Sequence, residues 1–171
     1  VAVAQLLARQ LPQIAERLKT TLDKLQRPQI EATSYISAAE WWARLQDRHA
    51  GNGIEWRGDL RGATELPGAL FDSVAENLLQ NALAKRQHET GIEISVNLTV
   101  DRDNLDLSVR DTGQGIAPTI TDALFRAPVK SEFGLGIGLY HAAKQAEEAG
   151  HRLSLAENRP GAVVFRLTRR N

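Results

Sequence analysis

Ser73, Asn77, Asn81 and Lys85 recur every fourth residue. On a helix that spacing sets them along one face, where they can line a polar cleft while Phe71, Val74 and Leu78 point into a core. Magnesium prefers oxygen ligands in octahedral geometry and keeps several waters, so one side-chain carbonyl, such as that of Asn81, plus phosphate oxygens is protein enough. A neutral ligand adds no repulsion against a triphosphate. The same pattern also fits two asparagines that merely face solvent. Further on stands Asp111-Thr112-Gly113-Gln114-Gly115. A carboxylate at a strand end can accept a hydrogen bond from the exocyclic amino group of adenine, and small glycines let the backbone approach the ring. Such a charge-assisted bond contributes about 1.5 to 3 kcal/mol net, or roughly tenfold to a hundredfold in affinity. An ordinary Asp-Thr-Gly turn is the alternative. The third block, Gly134-Leu135-Gly136-Ile137-Gly138-Leu139, opens a helix. Bare N–H groups and the positive end of the helix dipole favour phosphate there, and Gly136 and Gly138 weaken the helix, so something is being accommodated. The glycine spacing misses the dinucleotide fingerprint by one residue, and no Gly-Lys pair supplies a P-loop.

Other chemistries find little footing. His49, His88, His141 and His151 are dispersed without metal-ligand spacing and suit solvated surface positions. There is no Gly-x-Ser-x-Gly elbow. Twenty-one basic residues balance twenty-one acidic ones, so no global field recruits nucleic acid or an anionic membrane. Without cysteine there is no disulfide framework or thiol nucleophile, in keeping with a cytoplasmic setting. No apolar run approaches the roughly 18 residues of a membrane span, so no membrane contact is expected of this chain. Lacking Met and opening on Val, it has the look of a piece of a longer protein.

The elements that must position these blocks follow from periodicity. Leu7, Leu11, Ile14, Leu18, Leu22 and Leu25 form a narrow stripe on a helix over 1–28 that stops at Pro28, in the manner of half a helical hairpin or a dimer contact. An extended piece near Ile30 to Ile36 precedes Ser37, placed to cap a helix holding Trp41, Trp42 and Leu45, with Gly51-Asn52-Gly53 turning after it. Trp41 and Trp42 suit partly buried packing. Ile54 to Trp56 has strand character, and a longer helix should run from Pro67 to about Glu89. Strict alternation through Ile92–Val100 and Leu105–Val109, with Asp101–Asn104 between, predicts an antiparallel hairpin. A helix over Gly136–Ala149 and strands at Leu153–Leu155 and Val163–Leu167, joined through Asn158–Gly161, complete the pattern. The expected fold is a two-layer α/β sandwich. Its sheet is mixed and largely antiparallel and is covered on one face by helices, with an N-terminal helix from a dimerisation hairpin.

Taken in order, Asn77-Leu78-Leu79-Gln80-Asn81-Ala82, Asp111-Thr112-Gly113-Gln114-Gly115-Ile116, Leu124-Phe125 and Gly134-Leu135-Gly136-Ile137-Gly138-Leu139 resemble the asparagine, first glycine, phenylalanine and second glycine boxes of sensor histidine kinases. These kinases belong to the ATPase superfamily shared with gyrase, MutL and a heat-shock chaperone. The resemblance implies an ATP-binding catalytic domain over 30–171, with a left-handed βαβ unit and a lid between about Ile116 and Phe133. It implies Mg²⁺ on Asn81, a phosphate end ordered by Asn77, adenine on Asp111, and a base pocket shaped by Gly113, Gly115 and Ile116. Gly134, Gly136 and Gly138, with Leu135, Ile137 and Leu139 among them, would hinge the lid and meet phosphate. The implied partners are a phosphoacceptor hairpin, a response-regulator receiver domain and a second copy in the full-length protein. The implied location is cytoplasmic, compatible with a parent anchored in the inner membrane.

Two departures from the family pattern stand out. The lysine usually found three residues after the metal-binding Asn is Ala84 here, which makes Lys85 the candidate phosphate contact and Arg86 the reserve. A phosphoacceptor box would put His five residues before a proline, and before Pro12 that residue is Leu7, so the acceptor is expected outside this chain. The gyrase-like branch activates water with a Glu four residues before the metal Asn. That position is Asn77, which favours a kinase over a hydrolase. An anti-sigma-type serine kinase and a degenerate nucleotide- or partner-binding domain are the alternatives.

Overall fold

The computed structural model describes residues 34–128 and 136–170. The expected helix over 1–28 lies outside them, as do Gly134 and Leu135. Thr33–Asn171 forms a compact unit of its own. In chain order the elements are β1 (Tyr35–Ser37), α1 (Ala38–Arg48), β2 (Ile54–Leu60), β3 (Glu65–Pro67), α2 (Gly68–His88), β4 (Ile94–Val100) and β5 (Leu105–Asp111). They are followed by α3 (Pro118–Thr121), α4 (Gly136–Glu148), β6 (His151–Arg159) and β7 (Ala162–Arg169).

Five strands form one sheet in the order β2-β4-β5-β7-β6. β2 and β4 run parallel, joined through β3 and α2, and the remaining neighbours are antiparallel. This is the mixed, largely antiparallel sheet that the alternating hydrophobics require. Ile94, Val96, Leu98 and Val100 of β4 are buried, as are Leu105, Leu107 and Val109 of β5, while the residues between them are half-buried. One face of the hairpin therefore meets the core. The small β1–β3 pair lies outside the main sheet.

α2 buries Leu70, Phe71, Val74, Ala75, Leu78, Leu79 and Ala82 on a stripe of three- and four-residue steps. Trp41 of α1 packs edge-on to Phe71, ring centroids 5.4 Å apart, and donates its indole N–H to Asp72 at 2.9 Å. Trp42 meets Trp56 in the same T-shaped way at 5.4 Å. Both tryptophans are buried, more deeply than partial packing implies.

The structure corrects several local expectations. Ser37 precedes α1 but makes no capping bond with its side chain. It is tied into β1 opposite Glu65, and the first helical N–H, of Ala38, finds Thr64 O at 2.9 Å instead. β2 extends to Leu60 because its whole length pairs with Ile94–Val100. Gly58 within it is dictated by close approach, since a Cβ there would lie 2.8 Å from the Trp42 indole nitrogen. Two of the four histidines are buried rather than solvated. His49 sits between Asn52 and Glu76, and His151 donates Nδ1–H to Ala149 O at 2.8 Å. Burial holds the His151 imidazole below the ordinary histidine range.

Candidate functional site

The polar stripe of α2 flanks its buried stripe and meets a different neighbour at each end. Near its start, Ser73 Oγ donates to Gln145 Oε1 of α4 at 2.9 Å. One turn later Asn77 donates Nδ2–H to Ser73 O at 2.7 Å, which leaves Oδ1 turned toward Gly138. A Cβ on Gly138 would stand 2.2 Å from that oxygen, so the glycine is what lets the first turns of α4 lie directly over Asn77. At the next step Asn81 Oδ1 is buried with no hydrogen-bond partner among the described residues. At the far end Lys85 Nζ reaches Asp111 Oδ1 at 2.8 Å and the carbonyl of Gln114. At 1.5 Å of rise per residue, the stripe from Asn77 to Lys85 spans about 12 Å.

Asp111 arrives at that end for a reason legible in β5. It continues the alternation of Leu105, Leu107 and Val109, so its side chain falls on the helix-covered face and is buried. Its Oδ1 also accepts the N–H of Gly113 at 2.9 Å. Thr112 pins the loop start, accepting the N–H of Glu93 on Oγ1 at 2.8 Å and donating its own N–H to Glu93 O at 3.1 Å. A Cβ on Gly113 would lie 2.6 Å from Lys85 Cε, 2.7 Å from Ile92 Cδ1 and 2.9 Å from Glu89 Oε2. No larger residue fits without displacing all three.

Two residues of the site escaped sequence reasoning. Asn158 at the end of β6 clamps Ile116 with both halves of its amide, accepting the N–H at 2.7 Å and donating to the carbonyl at 2.8 Å. Gly115 passes close beneath, its Cβ position 3.2 Å from Asn158 Oδ1. Glu89, just past α2, accepts the N–H of Gln114 at 2.9 Å. The β6–β7 turn adds a third tie, Gly161 N–H to Gly113 O at 2.9 Å.

Neither cation foreseen at the phosphates is found at the α4 end of the stripe. Lys85 is held at the Asp111 end, and Arg86 turns away to donate to Asn52 O at 2.6 Å. Glu76 is likewise occupied, by His49 Nε2 at 3.1 Å and Arg48 Nε at 3.4 Å. Gly136 and Gly138 begin α4, Ile137 is half exposed and Leu139 is buried.

The donor set suits the groups that a nucleotide brings. Among the described residues no three acidic or histidine side chains gather to hold a metal. A divalent ion here would rest on an amide oxygen and on its ligand's own oxygens, and the bare Asn81 Oδ1 is such an oxygen.

Comparison with known proteins agrees. Residues 69–170 match the family described as histidine kinase-, DNA gyrase B-, and HSP90-like ATPase. Histidine protein kinase SaeS of Staphylococcus aureus is 28% identical over 95 residues, covering 52% of this chain and 27% of its own length. The chain thus spans about a quarter of the curated relatives it matches. Among solved structures, the nucleotide-free catalytic domain of histidine kinase ThkA superposes with a TM-score of 0.62 at 20% identity, covering 79% of this chain and 95% of that one. Full-length ShkA in complex with AMPPNP gives 0.69 at 16% identity, over 86% of this chain and 33% of its own. The mycobacterial sensor histidine kinase MprB gives 0.57 at 20% identity, over 79% and 96%. With that match running through α2, the Asp111 loop, α4 and the final hairpin, the chain belongs to the histidine kinase-, DNA gyrase B- and HSP90-like ATPase family.

Proposed function

We propose that this chain is the ATP-binding catalytic part of a two-component sensor histidine kinase, which passes the γ-phosphate of Mg-ATP to a histidine on another segment for relay to a response regulator. The observation that carries the proposal is the polar stripe of α2, with an Asn81 oxygen that has no donor among the described residues, between a glycine-opened helix start and a buried carboxylate. These are spaced as the triphosphate, metal and base of one extended nucleotide would be.

In this reading Asp111 accepts the amino group of adenine on its second oxygen, while Gly113, Gly115 and Ile116 form the pocket beneath the ring. Asn81 offers its oxygen to Mg²⁺. The ion, when bound, neutralises charge on the phosphates. Asn77 and the first N–H groups of α4, from Gly136 through Gly138, orient the phosphate end, with Gly134 and Leu135 of the same box leading into it. Transfer breaks the bond between the γ-phosphorus and the bridging oxygen and forms a phosphorus–nitrogen bond on the acceptor imidazole. The protein contributes positioning and electrostatic stabilisation. Asn77 cannot act as a base and Glu76 is tied to Arg48 and His49, so water is not activated. The acceptor hairpin, a receiver domain and a second copy of the parent chain are the partners of this activity, which proceeds in the cytoplasm. No helix among the described residues is long and apolar enough to cross a membrane.

The test is transfer in trans. The chain, Mg-ATP and a histidine-bearing helical hairpin of the parent protein should give an acid-labile, alkali-stable phosphate on that histidine. Acid-stable phosphoserine would point to a serine kinase instead, and intact ATP binding without transfer to a binding module.

A further inference from the structure

We infer that Lys85 reads the base of the nucleotide rather than its phosphates, forming with Asp111 a donor beside an acceptor that matches the edge of adenine. The inference rests on the nucleotide reading above and assigns a residue within it. An ammonium carries three N–H donors. Among the described residues two are engaged, one by Asp111 Oδ1 at 2.8 Å and one by the carbonyl of Gln114, which leaves one to give. Asp111 Oδ1 is filled by Lys85 and by the N–H of Gly113, so among the described residues Oδ2 is the oxygen left to receive. Adenine presents an amino donor next to a ring nitrogen acceptor. Asp111 Oδ2 suits the first and the third Lys85 N–H suits ring N1.

The lysine is built into this place. Its side chain is only 15% exposed and that of Asp111 only 8%. It runs through a corridor between Ile92, Glu89 and Gly113 that any Cβ on Gly113 would block, at 2.6 Å from Lys85 Cε. Gly113 thus has a second task beside the base pocket, to let the lysine through. Swinging Lys85 toward the α4 end would break both of its bonds and leave a buried carboxylate facing a single N–H. Gly138 of α4 lies over Asn77, two turns of helix away. A lysine one position later than the family pattern is therefore a lysine at a different part of the ligand.

Binding of adenosine, ADP and ATP to the wild-type chain and to Lys85→Gln separates the two roles. A base contact predicts that all three ligands weaken by the same factor, roughly tenfold or more for a charged donor. A loss absent for adenosine and growing with the number of phosphates overturns the inference, and so does no loss at all. A second measurement needs no variant. In the wild-type chain the ε-carbon resonance of Lys85 should move on titration with adenosine alone, and movement with ATP but not adenosine would place the ammonium at the phosphates. If the folded wild-type chain binds neither adenosine nor ATP, the nucleotide reading itself fails, and the assignment of Lys85 with it.

Discussion

At the scale of single residues, an unsatisfied buried amide oxygen costs about 1 to 3 kcal/mol, and among the described residues Asn81 Oδ1 is the side-chain oxygen left in that state. Its neighbour on the stripe makes a complementary case. Gly138 is held small by Asn77 Oδ1, and the atom in its way is the tip of a side chain rather than backbone. Gly138→Ala should therefore swing the Asn77 amide off its 2.7 Å bond to Ser73 O and leave the core untouched. Helix propensity partly offsets that loss, since Ala is favoured over Gly by about 1 kcal/mol in a helix. The expected result is a melting temperature within a few degrees of wild type, with ATP affinity reduced about tenfold. Unchanged affinity would remove Asn77 and Gly138 from the phosphate end.

At the scale of elements, the division of labour on α2 was open to view in the sequence, because a helix places its buried and polar stripes by local spacing alone. The β4–β5 hairpin was equally plain, and with it the burial of Asp111, which simply extends the alternation of Leu105, Leu107 and Val109. What the sequence hid are pairings over distance. Lys85 meets Asp111 across 26 residues, through a gap that exists only because residue 113 is glycine. Asn158 meets Ile116 across 42 residues, and nothing in its local Asn-Arg-Pro-Gly turn announces the partner. The length of β2 was hidden for the same reason, being set by its parallel neighbour β4. The Asn158 clamp carries its own prediction. Asn158→Ala removes two exposed hydrogen bonds, so stability to urea should fall by about 1 kcal/mol at unchanged m-value. Nucleotide affinity should fall as well, because the Gly113–Ile116 loop loses its tie to β6. A loss of stability with full affinity would show that the clamp serves the hairpin alone.

At the scale of the molecule, a five-stranded sheet carries helices on one face and leaves α2 with one side in the core and the other along the site. The base end is anchored to the sheet through Asp111 and the final hairpin, whereas the phosphate end depends on α4 and its approach to Asn77. That arrangement separates recognition from transfer. Base-end residues should govern the affinity of any adenine nucleotide, and residues around Asn81 should govern its dependence on metal. The central claim is that this sheet and these helices hold Mg-ATP with Asn81 as the protein's oxygen for the ion. Calorimetric titration of ATP into the wild-type chain and Asn81→Ala, each with and without Mg²⁺, tests it most directly. The account predicts that Mg²⁺ strengthens binding to the wild-type chain and makes no difference to Asn81→Ala, which still binds ATP through its base. Binding to the folded wild-type chain that ignores Mg²⁺, or no binding at millimolar ATP, would contradict it.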